Sequence, residues 1–451
     1  MRRVILTLTA MLLPAAAGSA QTDAEIRQIL ADRIEIARQS VGLVVGVVDG
    51  KGRRIVAYGS LNQGDQRPLN GDTVFEIGSI TKVFTSLVLS DMAQHGEVAL
   101  TDPIGKYLPK EVRVPEHGGK AIAMQDLATH VSGLPRLPSN LVPKNPANPY
   151  ADYSVESLYQ FLSGYSLPRD PGERWEYSNL GTGLLGHVLS LRAGSSYEAV
   201  VRSRITGPLK MGDTAMVLSP EMKARLAVGH NDKLAAVPNW DFQALAGAGA
   251  LRSTANDMLT FLAANLGYTE SPLAPAMAAM LTIRKPTSAP GLENALGWQI
   301  TTGRGKEIIW KDGGTFGYSS FIGYDPETKT GVVVLSNTFT MAGVSDIGMH
   351  LLAPAFPLIK AEPPKEHKQI SIDSKLLDSY VGQYQLAPSF ILTVTREGDH
   401  LGAQATGQGR FEIFPESDRT FFAKITEIQI TFEDGALVLR QNGIDTRAAR
   451  K

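Results

Sequence analysis

The chain has 451 residues, with 44 Lys and Arg against 45 Asp and Glu, a net charge of −1 and no cysteine. The two signs are interspersed, so no basic patch points to nucleic acid and no charge run to a solvated tail. The missing cysteines exclude disulfides, thiol nucleophiles and Cys-ligated metals, and a length that suits two domains must be held by core packing alone.

Arg2 and Arg3 precede an apolar run over residues 4–13, and Gly18-Ser19-Ala20 follows with small residues. This pattern predicts a secretory signal over residues 1–20, cleaved after Ala20, and export across the inner membrane to the periplasm. No later stretch reaches the roughly 18 apolar residues of a membrane span.

Residues 23–39 read as a helix with Ile26, Ile29, Leu30 and Ala37 on one side, and 41–48 as a buried strand. Asp49-Gly50-Lys51-Gly52 is a hairpin turn and 55–58 the return strand. Ile80, Val83, Phe84, Leu87 and Val88 then recur at helical spacing after Gly78, and Gly96 is a stop. The middle region is helical where it is periodic and rich in Pro and Gly over 133–149. A second helix, 180–191, follows the turn Asp170-Pro171-Gly172-Glu173 and Tyr177-Ser178-Asn179. Strands return at 308–310, 319–324 and 332–335, and a helix at 341–352. Pro354, Pro357, Pro363 and Pro364 mark a linker. Beyond it, runs at 390–394, 410–414, 420–425, 427–432 and 436–439 read as short strands.

Strands at both ends with helices between them predict an α/β (α+β) domain over 21–353: an antiparallel sheet flanked by helices, with a mostly helical subdomain. A linker over 354–370 leads to a small all-β domain over 371–451. That module offers a surface for oligomerisation or for capping a cleft.

Three clusters carry candidate chemistry. In Ser79-Ile80-Thr81-Lys82 a hydroxyl and an amine three residues apart share a helix face at its N-terminus, where free N–H groups can stabilise an oxyanion. Tyr177 can relay protons if cations lower its pKa, and the Asn179 amide can hydrogen-bond a lysine or a substrate carbonyl. Lys311-Asp312-Gly313-Gly314 opens an apparent strand, with glycines that let a ligand approach the backbone and a lysine that supplies fixed charge.

Together, in this order, the three resemble the Ser-x-x-Lys, Tyr-x-Asn and Lys-x-Gly boxes of the serine β-lactamase and penicillin-binding-protein superfamily. The class C branch, with its DD-peptidase and esterase relatives, is the nearest likeness. Phe75-Glu76-Ile77-Gly78, residues 127–135 and Pro171-Gly172-Glu173 also look like this family. The resemblance spans residues 23–352, and the C-terminal sheet resembles the lipocalin-like appendage of some relatives. It implies an acyl-enzyme on Ser79, a base shared by Lys82 and Tyr177, and orientation of Lys82 and substrate by Asn179. Lys311, Asp312 and Gly313 would contact substrate, and the backbone N–H groups of Ser79 and Gly314 would form the oxyanion hole. No cofactor or metal is implied. The substrate would be a small molecule, a β-lactam or a D-alanyl-D-alanine-type amide.

Asp312 departs from the family's threonine. An ionised carboxylate about 4 Å from a substrate carboxylate would repel it by roughly 4 kcal/mol at an effective dielectric of 20, unless it turns away or pairs with a cation. This keeps open an esterase acting on small acyl esters; a non-catalytic binding protein on the same fold is the rival of a different class.

Three other patterns are set aside. Lys329-Thr330-Gly331 spells the third box but ends a turn, and a strand of about a dozen residues would hold it roughly 40 Å from position 311. Gly181-Thr182-Gly183-Leu184-Leu185-Gly186 spells a dinucleotide fingerprint without the preceding strand and reads as close helix packing. The eight histidines lack metalloprotease spacing, His130 and His187 read as structural, and no Gly-x-Ser-x-Gly elbow occurs.

Overall fold

The structure is a computed structural model that describes residues 21–363, 366–387, 390–406, 410–424, 428–441 and 444–451. The signal segment read over 1–20, Pro364, and the strand ends at 425 and 427 lie outside the described residues.

Gly42–Asp49 is the inner strand that organises the first domain. It pairs antiparallel with Gly52–Gly59 on one side and with Thr330–Ser336, from the far end of the domain, on the other. Ser319–Asp325 and Ile308–Gly314 continue the sheet, and three short strands, Gln299–Thr301, Leu292–Asn294 and Lys285–Pro286, complete its eight strands. Side chains alternate across such a strand. Leu43, Val45 and Val47 therefore face one way, packed with Val332 and Val334 against Ile26, Leu30, Ile347 and Leu351 of the two terminal helices. Val44 and Val48 face the other way, with Val333 and Leu335, toward Leu259 and Leu262 of the helix Ala255–Asn265. Both faces are covered by helices, which is why the strand reads as an unbroken apolar run.

The serine-bearing helix, Thr81–Gln94, is buried on every side from Thr81 to Met92. It carries polar residues in that interior, and most find partners. Thr85 Oγ1 bonds the Tyr197 hydroxyl at 2.7 Å and donates to the Gly247 carbonyl at 2.8 Å; Ser90 Oγ donates to the Ala276 carbonyl at 2.8 Å. Its Asp91 pairs with Arg204 at 2.8 Å. The glycine-rich helix Asn179–Ala193 lies beside it. A Cβ on Gly186 would stand 2.9 Å from the Cα of Gly247, so the dinucleotide-like glycines serve close backbone packing against the 3₁₀ turn Ala246–Ala248.

Two expectations are corrected. Position 311 does not open a strand: it lies in the middle of Ile308–Gly314, and the chain reverses at residues 315–318 before Ser319–Asp325. The long strand expected to separate Lys311 from the Lys329 turn is thus two seven-residue strands, each about 23 Å long. Lys329 stays exposed in the turn after the second of them, with a φ of +52°, and its carbonyl accepts from Tyr268.

The C-terminal segment closes into an eight-stranded barrel with its own core of Tyr384, Leu401, Ile413, Phe421, Ile430, Phe432 and Leu437. Each strand pairs with its neighbours in sequence, and Gly382–Ala387 closes on Ile444–Arg450. Those two strands, His400–Ala405 and the helix Ser374–Tyr380 are additions to the strands read from sequence.

Candidate active site

Ser79 sits in a 3₁₀ turn, Gly78–Ile80, that runs directly into the helix Thr81–Gln94. Lys82, on the next turn, is 0% exposed and reaches back to Ser79 Oγ at 3.0 Å. Its ammonium also donates to Asn179 Oδ1 at 2.9 Å and to the Ala248 carbonyl at 2.7 Å. Three donors meet three acceptors, the condition for keeping such a group out of water. Burial pushes the Lys82 pKa down, as do the charges of Lys311 and Arg136, against an opposing pull from Tyr177.

Tyr177 arrives from the segment that precedes Asn179–Ala193. Ser178 caps that helix, accepting from the Gly181 N–H and donating to the Pro135 carbonyl, so Tyr177 and Asn179 leave the cap on either side. The Tyr177 hydroxyl donates to Ser79 Oγ at 2.8 Å. Burial alone would push this phenol up, but the Lys82 and Lys311 ammoniums and the hydrogen bond with Ser79 bring it down to about 8. Lys82, Lys311 and Arg136 lie 5.0, 5.2 and 5.1 Å from the Tyr177 ring centroid. An easily deprotonated phenol and a buried amine at one hydroxyl are the parts of a shared general base.

Lys311 is buried and pairs with Asp312 Oδ1 at 3.1 Å, while Asp312 itself is 50% exposed. Burial would lower the Lys311 pKa, yet the charges of Tyr177 and Asp312 raise it, so the ammonium is firmly held. Ile308–Gly314 passes tightly over the serine turn. A Cβ on Gly78 would stand 2.7 Å from the Gly314 nitrogen, and one on Gly313 would overlap the Ile77 carbonyl oxygen. Only glycine at both positions lets the strand and the serine turn approach this closely, with Gly314 against Gly78 and Gly313 against Ser79.

All the residues singled out from the sequence therefore converge here: Ser79, Lys82, Tyr177, Asn179, Lys311, Asp312, Gly313 and Gly314. Sequence reasoning missed the Ala248 carbonyl, which has no side-chain signature, and Tyr150, whose hydroxyl accepts from Asn179 Nδ2 at 3.2 Å. His130 joins the site's wall. Its ring lies 4.6 Å from that of Tyr177, and its Nδ1 accepts the Ser178 N–H at 3.2 Å. Burial, with Lys82, Lys311 and Arg136 nearby, holds its pKa well below the usual value, so it stays neutral. His187 bonds Tyr159 at 2.7 Å, away from this cluster. Among the described residues one set could hold a metal ion, Glu397, His400 and Glu412, and it lies in the barrel, where Glu397 already pairs with Arg410. No helix of the described residues is long and apolar enough to cross a membrane.

Comparison with known proteins agrees with this geometry. The chain is 31% identical over 318 residues to the D-alanyl-D-alanine-carboxypeptidase/endopeptidase AmpH of Escherichia coli (strain K12), covering 68% of this chain and 81% of that protein. It is 26% identical over 423 residues to penicillin-binding protein 4* of Bacillus subtilis (strain 168), covering 87% and 91%. A class C beta lactamase from Rhodobacter sphaeroides superposes with a TM-score of 0.62 at 26% identity, over 74% of this chain and 98% of that one. A beta-lactamase/D-alanine carboxypeptidase from Yersinia pestis gives 0.61 at 26% identity, over 75% and 100%. Residues 366–445 match a domain of unknown function (DUF3471). The family model described as Beta-lactamase matches residues 22–353, and the chain accordingly belongs to the beta-lactamase family of serine hydrolases.

Proposed function

We propose that the protein is an exported hydrolase that forms an acyl-enzyme on Ser79 and cleaves β-lactam or D-alanyl-D-alanine-type amide bonds. The observation that carries this reading is one hydroxyl hydrogen-bonded by two titratable groups: Ser79 Oγ accepts from Lys82 Nζ at 3.0 Å and from the Tyr177 hydroxyl at 2.8 Å, and either group, once it has lost its own proton, can take that of Ser79. In the first step the Lys82–Tyr177 pair, one proton short as the Lys82 amine or the Tyr177 phenolate, takes the Ser79 proton as Oγ attacks the carbonyl carbon. The oxyanion forms against the Ser79 and Gly314 amides, donors of a kind worth about 2.7–4 kcal/mol each. Collapse of that intermediate breaks the C–N bond, and the pair returns the proton to the leaving amine. Water then attacks the ester, the pair takes its proton, and Ser79 is released protonated. Asn179 orients Lys82, and Lys311 keeps Tyr177 acidic by its charge.

Names carried by the relatives, a carboxypeptidase/endopeptidase and a beta-lactamase/D-alanine carboxypeptidase among them, support this substrate class. The charged, apolar and small-residue order of residues 1–20 supports export to the periplasm. The separate core of the C-terminal barrel supports a division at 354–370, and its up-and-down strand order supports a lipocalin-like reading.

Intact-mass spectrometry after incubation with a penicillin tests the proposal, with Ser79→Ala as control. A Ser79-dependent adduct is expected, long-lived for a peptidase and short-lived with product for a lactamase. An unmodified wild-type protein, without product, would overturn it.

A further inference from the structure

Three cations ring the Tyr177 phenol, and two of them are already engaged. Lys82 is fully buried and donates to three acceptors. Lys311, 4% exposed, is paired with Asp312. The third is Arg136. It is exposed, its Cζ lies 5.1 Å from the Tyr177 ring centroid, and among the described residues its guanidinium has no carboxylate or hydrogen-bond partner.

Its backbone is nevertheless fixed. The Arg136 carbonyl accepts from the N–H groups of Asn179, at 3.0 Å, and Leu180, at 3.2 Å. The preceding Pro135 carbonyl accepts from Ser178 Oγ at 2.6 Å. The loop is thus tied to the same helix start that carries Tyr177 and Asn179, and the free guanidinium is presented at the site by a rigid support.

Which half of a substrate meets it follows from the chemistry proposed above, on which this inference rests. The proton that leaves Ser79 is returned to the leaving group from the Lys82–Tyr177 pair, so the leaving half lies against Tyr177. The group stacked on the Tyr177 ring flanks that half. We infer that Arg136 is the anion-recognition residue for the leaving half of the substrate, and that it takes over this task because Asp312 occupies Lys311. Its planar fork matches a carboxylate through two parallel N–H donors, which a lysine cannot do. The substrate class this selects is an acyl compound whose leaving half carries a carboxylate close to the scissile bond. Asp312 then works as a filter: it removes Lys311 from anion binding while leaving its positive charge beside Tyr177.

The test compares a cephalosporin bearing its free carboxylate with the methyl ester of the same compound, reading the rate of Ser79 acylation by intact mass on the full chain. In the wild type the acid is expected to react faster than the ester. Arg136→Ala should lower the acid-to-ester rate ratio at least tenfold, with the loss in KM for the acid, and Arg136→Lys should give an intermediate ratio. Adding Asp312→Asn to Arg136→Ala should raise the ratio again by releasing Lys311. A ratio in Arg136→Ala within twofold of wild type, with acylation intact, overturns the inference and leaves the hydrolase reading standing. No acylation of the wild type by either compound overturns both.

Discussion

Gly313 packs directly against the backbone nitrogen of Ser79: a Cβ built on it would stand 2.9 Å from that nitrogen and 2.5 Å from Ser320 Oγ. Ser320 Oγ in turn donates to the Ile77 carbonyl at 2.9 Å, so strand and serine turn are bonded together at this point. A methyl group here must push the two elements apart. Gly313→Ala is expected to lower the acylation rate about 100-fold, the scale of a 1 Å misplacement of reacting groups. Stopped-flow acylation with a chromogenic β-lactam, alongside circular dichroism to verify folding, checks it.

Against its burial, the Lys82 and Lys311 ammoniums bring the Tyr177 phenol down to about 8. If phenolate is the working base, kcat/KM rises with pH as the proton is lost through about 8 and levels off above it. Tyr177→Phe removes that rising limb and lowers kcat by about 10²–10⁴-fold. Since Lys82 and Tyr177 are hydrogen-bonded to the same hydroxyl, the limb belongs to the pair, and a pH–rate profile of each variant separates their shares.

Lys311 and Lys329 have opposite settings, one buried beside Tyr177 and one exposed in a turn. Lys311→Ala should raise the midpoint of the pH limb by roughly one unit or more, because the ammonium that favours phenolate is gone. Lys329→Ala should leave kcat/KM at its wild-type value and stability within about 0.5 kcal/mol. The reverse pattern would move the third box to residues 329–331.

Asp257 tests stability apart from catalysis. Burial raises its pKa from 3.8 to about 6, although Thr214 and the Asp213 N–H donate to it at 2.8 and 2.9 Å. A carboxyl raised in the folded state favours folding at low pH, and that contribution is lost as pH rises from about 4 through 6. Two units correspond to about 3 kcal/mol. Asp257→Asn should therefore match or exceed the wild-type Tm at pH 7–8 and lose that advantage at pH 4, as thermal melts across the range will show.

Much of the first domain was legible because its signals are local. The run 41–48 is a continuous segment of Val, Leu and Gly followed by the turn Asp49-Gly50-Lys51-Gly52, and it appears as Gly42–Asp49 and its hairpin. Ser79 and Lys82 lie one helical turn apart, and Tyr177 and Asn179 flank a helix cap. The strands Lys285–Pro286, Leu292–Asn294 and Gln299–Thr301 escaped because two or three residues show no periodicity. The reversal at 315–318 escaped because Lys311 was read as opening a strand of its own, and glycines at 313, 314 and 317 leave no period that marks where one strand ends. The two strands that close the barrel escaped because the pairing of Gly382–Ala387 with Ile444–Arg450 spans the whole domain.

Residue type and spacing determined by themselves that this chain carries a serine with a lysine one helical turn away, a tyrosine–asparagine pair at a helix start, and a lysine before two glycines. Helical and strand periods link only near neighbours, so they name the parts without assembling them. The tertiary structure alone decided that Lys82 is kept dry by a backbone carbonyl 166 residues away, that three cations meet at one phenol, and that Asp312 turns to Lys311. These are electrostatic contacts between distant segments, and their strength depends on burial and on distances of a few ångströms that only the folded chain creates.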